Sequence, residues 1–257
     1  MENGYSRENA EAKVCQDLVL DAISKTSLSR NVTIKGGVVM RSKTKNIRRA
    51  TQDMDIDFIK YSLSDESINR FIQTINCIDG VTIQTSSPIE QLKQQDYSGK
   101  SVYIKITDSF NNDLETKLDL GVHNRFEIEQ EEYCFDISLE KDGVSLLINS
   151  NEQMFVEKLR SLLKFGTYST RYKDVFDLYY LSSFVNKNDL MTAINSYIIH
   201  DTTMREDSIE KIICRLTNVS KDKRYTARLN NSNRKWIDVD GKEAFNKIIE
   251  TIKSLTE

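Results

Sequence analysis

Three aspartates, Asp53, Asp55 and Asp57, alternate with Met54, Ile56 and Phe58 in the run Arg49-Ala-Thr-Gln-Asp-Met-Asp-Ile-Asp-Phe58. Alternation at period two marks a half-buried strand, so the apolar members face a core and the carboxylates share the opposite face. Like charges in a row repel unless cations neutralise them. The hard cation that suits carboxylate oxygens together with substrate phosphates is Mg²⁺. Alternate residues lie about 6.6 Å apart along a strand, so Asp53 and Asp57, ~13 Å apart, cannot share one ion. A single centre must use Asp53 with Asp55, or Asp55 with Asp57, and Asp55 belongs to either pair.

A fourth carboxylate has the same setting. In Leu114-Glu-Thr-Lys-Leu-Asp-Leu120, the residues Leu114, Leu118 and Leu120 point one way while Glu115, Lys117 and Asp119 point the other. If this strand lies beside the first, Asp119 could hold a second metal or accept the proton of an attacking hydroxyl; otherwise its face is a simple charged surface. Just upstream, Gly36-Gly37 ends a short apolar strand that includes Thr33 and Ile34. The pair reads as a strand-to-helix turn needing positive φ, or as backbone that lets a triphosphate approach closely. It is not a P-loop, since GxxxxGK[ST] is absent. A basic loop follows, with Arg41, Lys43, Lys45, Arg48 and Arg49 and no acid.

The elements that must position these groups follow from periodicity. Ala10, Val14, Leu18, Ala22 and Ile23 define a helix within 7–27 ahead of the glycines. Ser62 or Ser64 can cap a helix whose apolar face is Ile68, Phe71, Ile72 and Ile75. Strands are expected at 81–85 and 101–107, with a polar loop around Pro88 between them, then over 114–120, 132–137 and 144–148. From Ser150 the pattern turns helical. Ser150 to Gln153 has capping-box spacing for a helix over 151–165, Thr170 is a candidate cap for the next, and helical patterns recur at 188–199, 204–217 and 241–255. The expected class is α+β, with a mixed α/β domain over 1–149 and a helical domain over 150–257.

The 257 residues suffice for a sizeable core, and 39% hydrophobic with 29% charged residues is ordinary for a soluble globular chain. The net charge of −3 advertises no general affinity for nucleic acid. Residues 211–235 are the exception: eight basic residues stand against Asp222 alone, with Tyr225 and Trp236 nearby. That block is a candidate surface for an RNA or tRNA acceptor, by phosphate contact and base stacking. Four separated cysteines exclude a zinc ribbon and fit reduced thiols in a cytoplasmic protein. No apolar run approaches a membrane span and none resembles a signal sequence. His123 and His200 lack partners at metal or triad spacing.

The pattern Gly-Gly, spacer, Arg-x-Thr-x-Asp-Met-Asp resembles the signature of polymerase-β-like nucleotidyltransferases. With Arg-x-Thr ahead of the aspartate pair it is similar to the AbiEii toxin family. A second segment, Phe155-Val-Glu-Lys-Leu-Arg-Ser-Leu-Leu followed by Arg171-Tyr-Lys-Asp-Val-Phe-Asp-Leu-Tyr-Tyr-Leu181, looks like that family's Glu-Lys-Leu and Arg/Lys-Asp-x-x-Asp-Leu motifs. The resemblance covers roughly residues 30–185 and implies a polymerase-β-like domain with a small mixed sheet. It implies transfer of an NMP from an NTP, with Mg²⁺ as cofactor and an antitoxin as partner. Carried over, Gly36 and Gly37 support the phosphates, with Arg49 and Thr51 also on the nucleotide. Asp53 and Asp55 become the metal ligands, with Asp119 as the third carboxylate. Lys158 contacts the triphosphate and Asp174 is a catalytic or positioning acid. The extra Asp57 and a slightly long spacer depart from the pattern. Two other readings remain: a binding module on a catalytically decayed transferase fold, and a metal-dependent phosphoesterase for which His123 is the only histidine near the strands.

Overall fold

Period-two segments of the N-terminal half assemble into one mixed sheet. The coordinates, a computed structural model, describe residues 4–92, 99–125 and 127–256; the first three residues and positions 93–98 of the expected polar loop lie outside them. The strands are β1 (Val32–Lys35), β2 (Met54–Ile59), β3 (Val81–Thr85), β4 (Glu90–Gln91), β5 (Lys100–Asp108), β6 (Asp113–His123), β7 (Glu131–Phe135) and β8 (Val144–Ile148). Their order is β3-β5-β6-β2-β1-β8-β7, with β4 paired to β5. The central pairings set the chemistry: β2 runs antiparallel to β1 and parallel to β6, and β6 runs antiparallel to β5.

One sheet face is apolar because alternation puts Ile34, Met54, Ile56, Phe58, Leu118 and Leu120 there, all fully buried. Helix α1 (Arg7–Ser24) begins at Ser6, whose hydroxyl caps Asn9, and helix α3 (Asp65–Ile75) begins at Ser64, which caps Ser67. The buried side of α3 is Ile68, Phe71, Ile72 and Ile75 as the spacing predicts, and Phe71 meets Phe58 edge to face with ring centroids 5.2 Å apart.

The basic stretch after the glycines departs from expectation. Gly36 to Thr44 form helix α2, so Arg41 and Lys43 are helical, and only the residues beyond it form a loop with a short 3₁₀ turn at Ile47–Arg49. Arg41 turns inward to Asp17 and Gln16, and Lys43 pairs with Glu131 at 3.3 Å. Their charges serve the fold of this half.

The chain divides into two compact units, Met1–Asn149 and Ser150–Glu257. The second is helical: α4 (Asn151–Phe165), α5 (Tyr172–Leu181), α6 (Lys187–Ile194) continued by a π-helical turn to Ile199, α7 (Ile209–Lys221), α8 (Lys223–Asn230) and α9 (Gly241–Lys253). Ser150 caps α4 through Gln153 N–H at 3.1 Å, as the capping-box spacing predicts. Thr170 does not cap α5; Arg171 occupies that position without a side-chain cap bond. The expected helix over 204–217 lies instead at Ile209–Lys221, where Ser208 supplies the cap, and α8 is an element the periodicity did not reveal. Among the described residues no helix is long and apolar enough to cross a membrane.

Candidate active site

The polar face of the first unit's sheet gathers the acidic residues by register. Asp55 on β2 stands opposite Asp119 on β6, Lys35 on β1 stands opposite Asp55, and Ser101 on β5 stands opposite Asp119. Neighbouring strands lie about 4.8 Å apart, so Asp55 and Asp119 are adjacent like charges. Such a pair is destabilising unless cations serve it. One is at hand: Lys117, two residues before Asp119 on the same face, reaches Asp119 Oδ1 at 2.8 Å. Burial opposes the Lys117 charge, but Asp119, and at longer range Asp53, raise its pKa above the ordinary value.

Asp57 has a cationic partner of its own. Lys35 Nζ lies 2.7 Å from Asp57 Oδ1, and both side chains are buried. The alternation that left Asp53 and Asp57 equivalent could not show this pairing, because Lys35 reaches Asp57 from the neighbouring strand. Asp53 is exposed and Asp55 half-buried, whereas Asp57 is buried. Among the described residues no group of three or more His, Cys, Asp and Glu side chains forms a metal cradle by itself. The donor set is nonetheless chemically apt for Mg²⁺, which takes one or two carboxylates and completes its shell with water and substrate phosphate. Among the described residues Asp119 Oδ1 is moreover a buried oxygen with no hydrogen-bond partner, and Lys117 Nζ lies 2.8 Å from it.

The glycines fit closely around these groups. Gly36 has φ +63°, and a Cβ there would lie 2.1 Å from Asp55 Oδ2; a Cβ on Gly37 would lie 2.5 Å from Thr51 Oγ1. The glycine pair is thus a strand-to-helix turn with positive φ at Gly36, one of the two readings expected. It brings the N-terminus of α2, which has no side-chain cap, against the Asp55 carboxylate. A helix start of this kind presents N–H groups suited to phosphate. Arg49, at the end of the 3₁₀ turn, is 3% exposed, and Thr51 is half-buried against Gly37.

His123 sits on the same face as Asp119, four residues on, and is buried with Gln130 Nε2 3.5 Å from its Nε2. Burial pushes its imidazole below the usual histidine range, with Asp57 and Glu127 pulling the other way. It is a buried structural side chain, while His200 is exposed.

In the second unit, α4 and α5 bring Lys158, Asp174 and Asp177 together. Lys158 Nζ lies 2.8 Å from Asp177 Oδ2 and 3.5 Å from Asp174 Oδ1, and Arg171 Nε lies 3.0 Å from Asp174 Oδ2. This is not a surface ion cluster: Asp177 is fully buried and accepts a 2.9 Å hydrogen bond from Trp236 Nε1. The spacing Asp174-x-x-Asp177 was legible, but the buried partner of Lys158 required the packing of two helices. The basic block 211–235 loses its aromatic component, because Tyr225 and Trp236 are core residues with 0% and 2% exposure. Two of its arginines bind backbone instead: Arg215 donates to Leu163 O and Arg228 to Thr167 O.

Sequence reasoning also missed Lys35 and Gln16, and read Lys117 only as part of the charged face around Asp119. Lys117 was visible as the i−2 neighbour of Asp119; the other two act across the fold and leave no periodic signal.

A family model described as nucleotidyl transferase AbiEii toxin, type IV TA system, matches residues 18–251. Among solved structures, JHP933 from Helicobacter pylori superposes with a TM-score of 0.52 at 13% identity, over 98% of this chain and 93% of that one. An antigenic nucleotidyltransferase-like protein from Paracoccidioides brasiliensis gives 0.49 at 12% identity, over 86% and 92%. At such identities the likeness to JHP933 is one of fold. No curated protein matches.

Proposed function

The chain belongs to the AbiEii nucleotidyl transferase toxin family, and on that premise we propose that it moves an NMP from an NTP to an acceptor hydroxyl at the Asp53, Asp55 and Asp119 face. The observation that carries this reading is the placement of Asp55 beside Asp119, with the Gly36 backbone and the uncapped start of α2 against the Asp55 carboxylate. The acceptor oxygen forms a bond to the α-phosphorus, the α–β bridging bond breaks, and pyrophosphate leaves. Asp119, paired with the Lys117 ammonium, would take the acceptor's proton. Gly36 and Gly37 let the start of α2 lie close against Asp55 and Thr51, and the helix N–H groups there would offset charge on the phosphates. Asp53 and Asp55 would hold Mg²⁺, which when bound neutralises charge on the phosphates.

Lys158 and Asp174, in the second unit, form a second set of functional groups in this proposal, with Lys158 as a phosphate-binding cation. Its Nζ lies 2.8 Å from Oδ2 of the buried Asp177, which anchors the side chain. The proposed setting is a type IV toxin–antitoxin module, with a cognate antitoxin as partner.

The test is incubation with each α-labelled NTP, Mg²⁺ and total RNA or lysate, asking which species becomes labelled. Wild type labels an acceptor and releases pyrophosphate; Asp55→Ala labels nothing and no longer arrests growth. Lys158→Met should lower turnover by about 10²–10³, the scale of losing one charge-stabilising donor. Full labelling by Asp55→Ala would overturn the proposal, and release of free NMP without a labelled acceptor would favour a phosphoesterase.

A further inference from the structure

Asp53 and Asp55 are held by different means. Asp55 lies within β2, where the ladders to β1 and β6 fix its backbone. Asp53 precedes the first strand residue, Met54, and lies outside the paired register of β2 with β1 and β6. Its segment is instead gathered by one side chain of α1. Gln16, with 0% exposure, directs Nε2 at three successive carbonyl oxygens: Thr51 at 3.0 Å, Gln52 at 3.4 Å and Asp53 at 3.5 Å. A carboxamide has two N–H donors, so the segment must curl around it for all three oxygens to converge.

The other end of the amide is held as well. Gln16 Oε1 accepts from the buried Arg41 guanidinium, and Arg41 lies 3.7 Å from Asp17 Oδ1. Asp17 Oδ2 in turn accepts from Ser138 N and Oγ, each at 3.2 Å. A cation on the carbonyl end of an amide polarises it and strengthens donation from its N–H groups. Two further contacts flank the segment: Thr116 Oγ1 donates to Gln52 O at 3.3 Å, and Thr51 abuts Gly37.

We propose that Gln16, backed by Arg41 and Asp17, is a positioning residue that sets the Asp53 carboxylate relative to Asp55 for divalent-cation binding. The inference rests on the carboxylate site proposed above, and Gln16 lies outside the residues matched by the family model. Gln16→Met keeps length and loses both ends of the amide. Gln16→Glu keeps the Arg41 contact and turns an oxygen, in place of the donor, toward three carbonyls.

The test is Mn²⁺ binding followed by electron paramagnetic resonance, with thermal midpoints measured alongside. Both variants should bind Mn²⁺ about 10- to 100-fold more weakly, the range seen when outer-shell partners of metal ligands are lost, and raised Mg²⁺ should restore labelling activity. Loss of Mn²⁺ binding in Asp55→Ala together with wild-type affinity in a folded Gln16→Met overturns the positioning role alone. Wild-type affinity in Asp55→Ala overturns the carboxylate site and this inference with it. Should neither Gln16 variant fold, Mg²⁺ titration of the wild-type protein by NMR decides: the Gln16 side-chain amide signals should shift, and their constancy overturns the proposal.

Discussion

Replacing Gly36 by alanine separates two reasons for a glycine at the start of α2. The first is conformational: at φ +63° an L side chain meets its own backbone, at a cost of about 1–2 kcal/mol. The second is local contact. The new Cβ would stand 2.1 Å from Asp55 Oδ2, whereas real Cβ contacts essentially never fall below 3.0 Å, so the oxygen must retreat by at least 3.0 − 2.1 = 0.9 Å. Asp55 is the carboxylate common to every arrangement of the proposed site, and a misplacement of about 1 Å can lower rate by about 10²-fold. Gly36→Ala should therefore lose about 1–2 kcal/mol in urea unfolding and about two orders of magnitude in labelling with α-labelled NTP. Gly80 gives the control: it has φ +75° with nothing within 4 Å of an added Cβ, so Gly80→Ala should show the stability loss without the activity loss. Equal activity of Gly36→Ala and wild type would refute the reasoning, since the Asp55 carboxylate cannot stay where it is beside a Cβ.

Asp57→Ala should destabilise the protein by about 3–5 kcal/mol, the scale of removing one partner from a buried ion pair, while its folded fraction keeps Mn²⁺ affinity; calorimetric titration showing the reverse would return Asp57 to the metal site. His123 is held below its usual pKa by burial, so below about pH 6.5 the unfolded chain takes up a proton that the folded chain resists. Stability from this residue is thus fully present above that pH and falls as pH drops through the folded pKa. His123→Gln should lose less stability than wild type between about pH 7 and pH 5 in urea titrations, and an unchanged pH slope would contradict the assignment. Trp236→Phe should cost about 1.5–3 kcal/mol through the lost donor to Asp177 and leave RNA retention on filters unchanged, because the ring is inside the core.

The local elements were legible in the sequence because neighbours along the chain decide them. The alternation over 53–58 specified β2 and its apolar side, Ser150 specified one helix start, the cap of α3 was narrowed to Ser62 or Ser64, and the spacing of Ile68, Phe71, Ile72 and Ile75 specified its buried side. The same local logic overreached where charge was taken as exposure. Five basic residues in 41–49 read as a loop, yet Arg41 is buried in a helix beside Asp17, and aromatic residues beside a basic block proved to be core.

What the sequence by itself determined was a set of carboxylates on strands, a glycine pair before them, and a second lysine–aspartate segment in a helical region. Only the tertiary structure decided which carboxylates differ. Strand order puts Asp119 beside Asp55, Lys35 engages Asp57 from β1, and Gln16 gathers the carbonyls that lead into Asp53. The physical reason is range: periodicity carries information about which way a residue faces, while an ion pair or a converging amide depends on a partner tens of residues away.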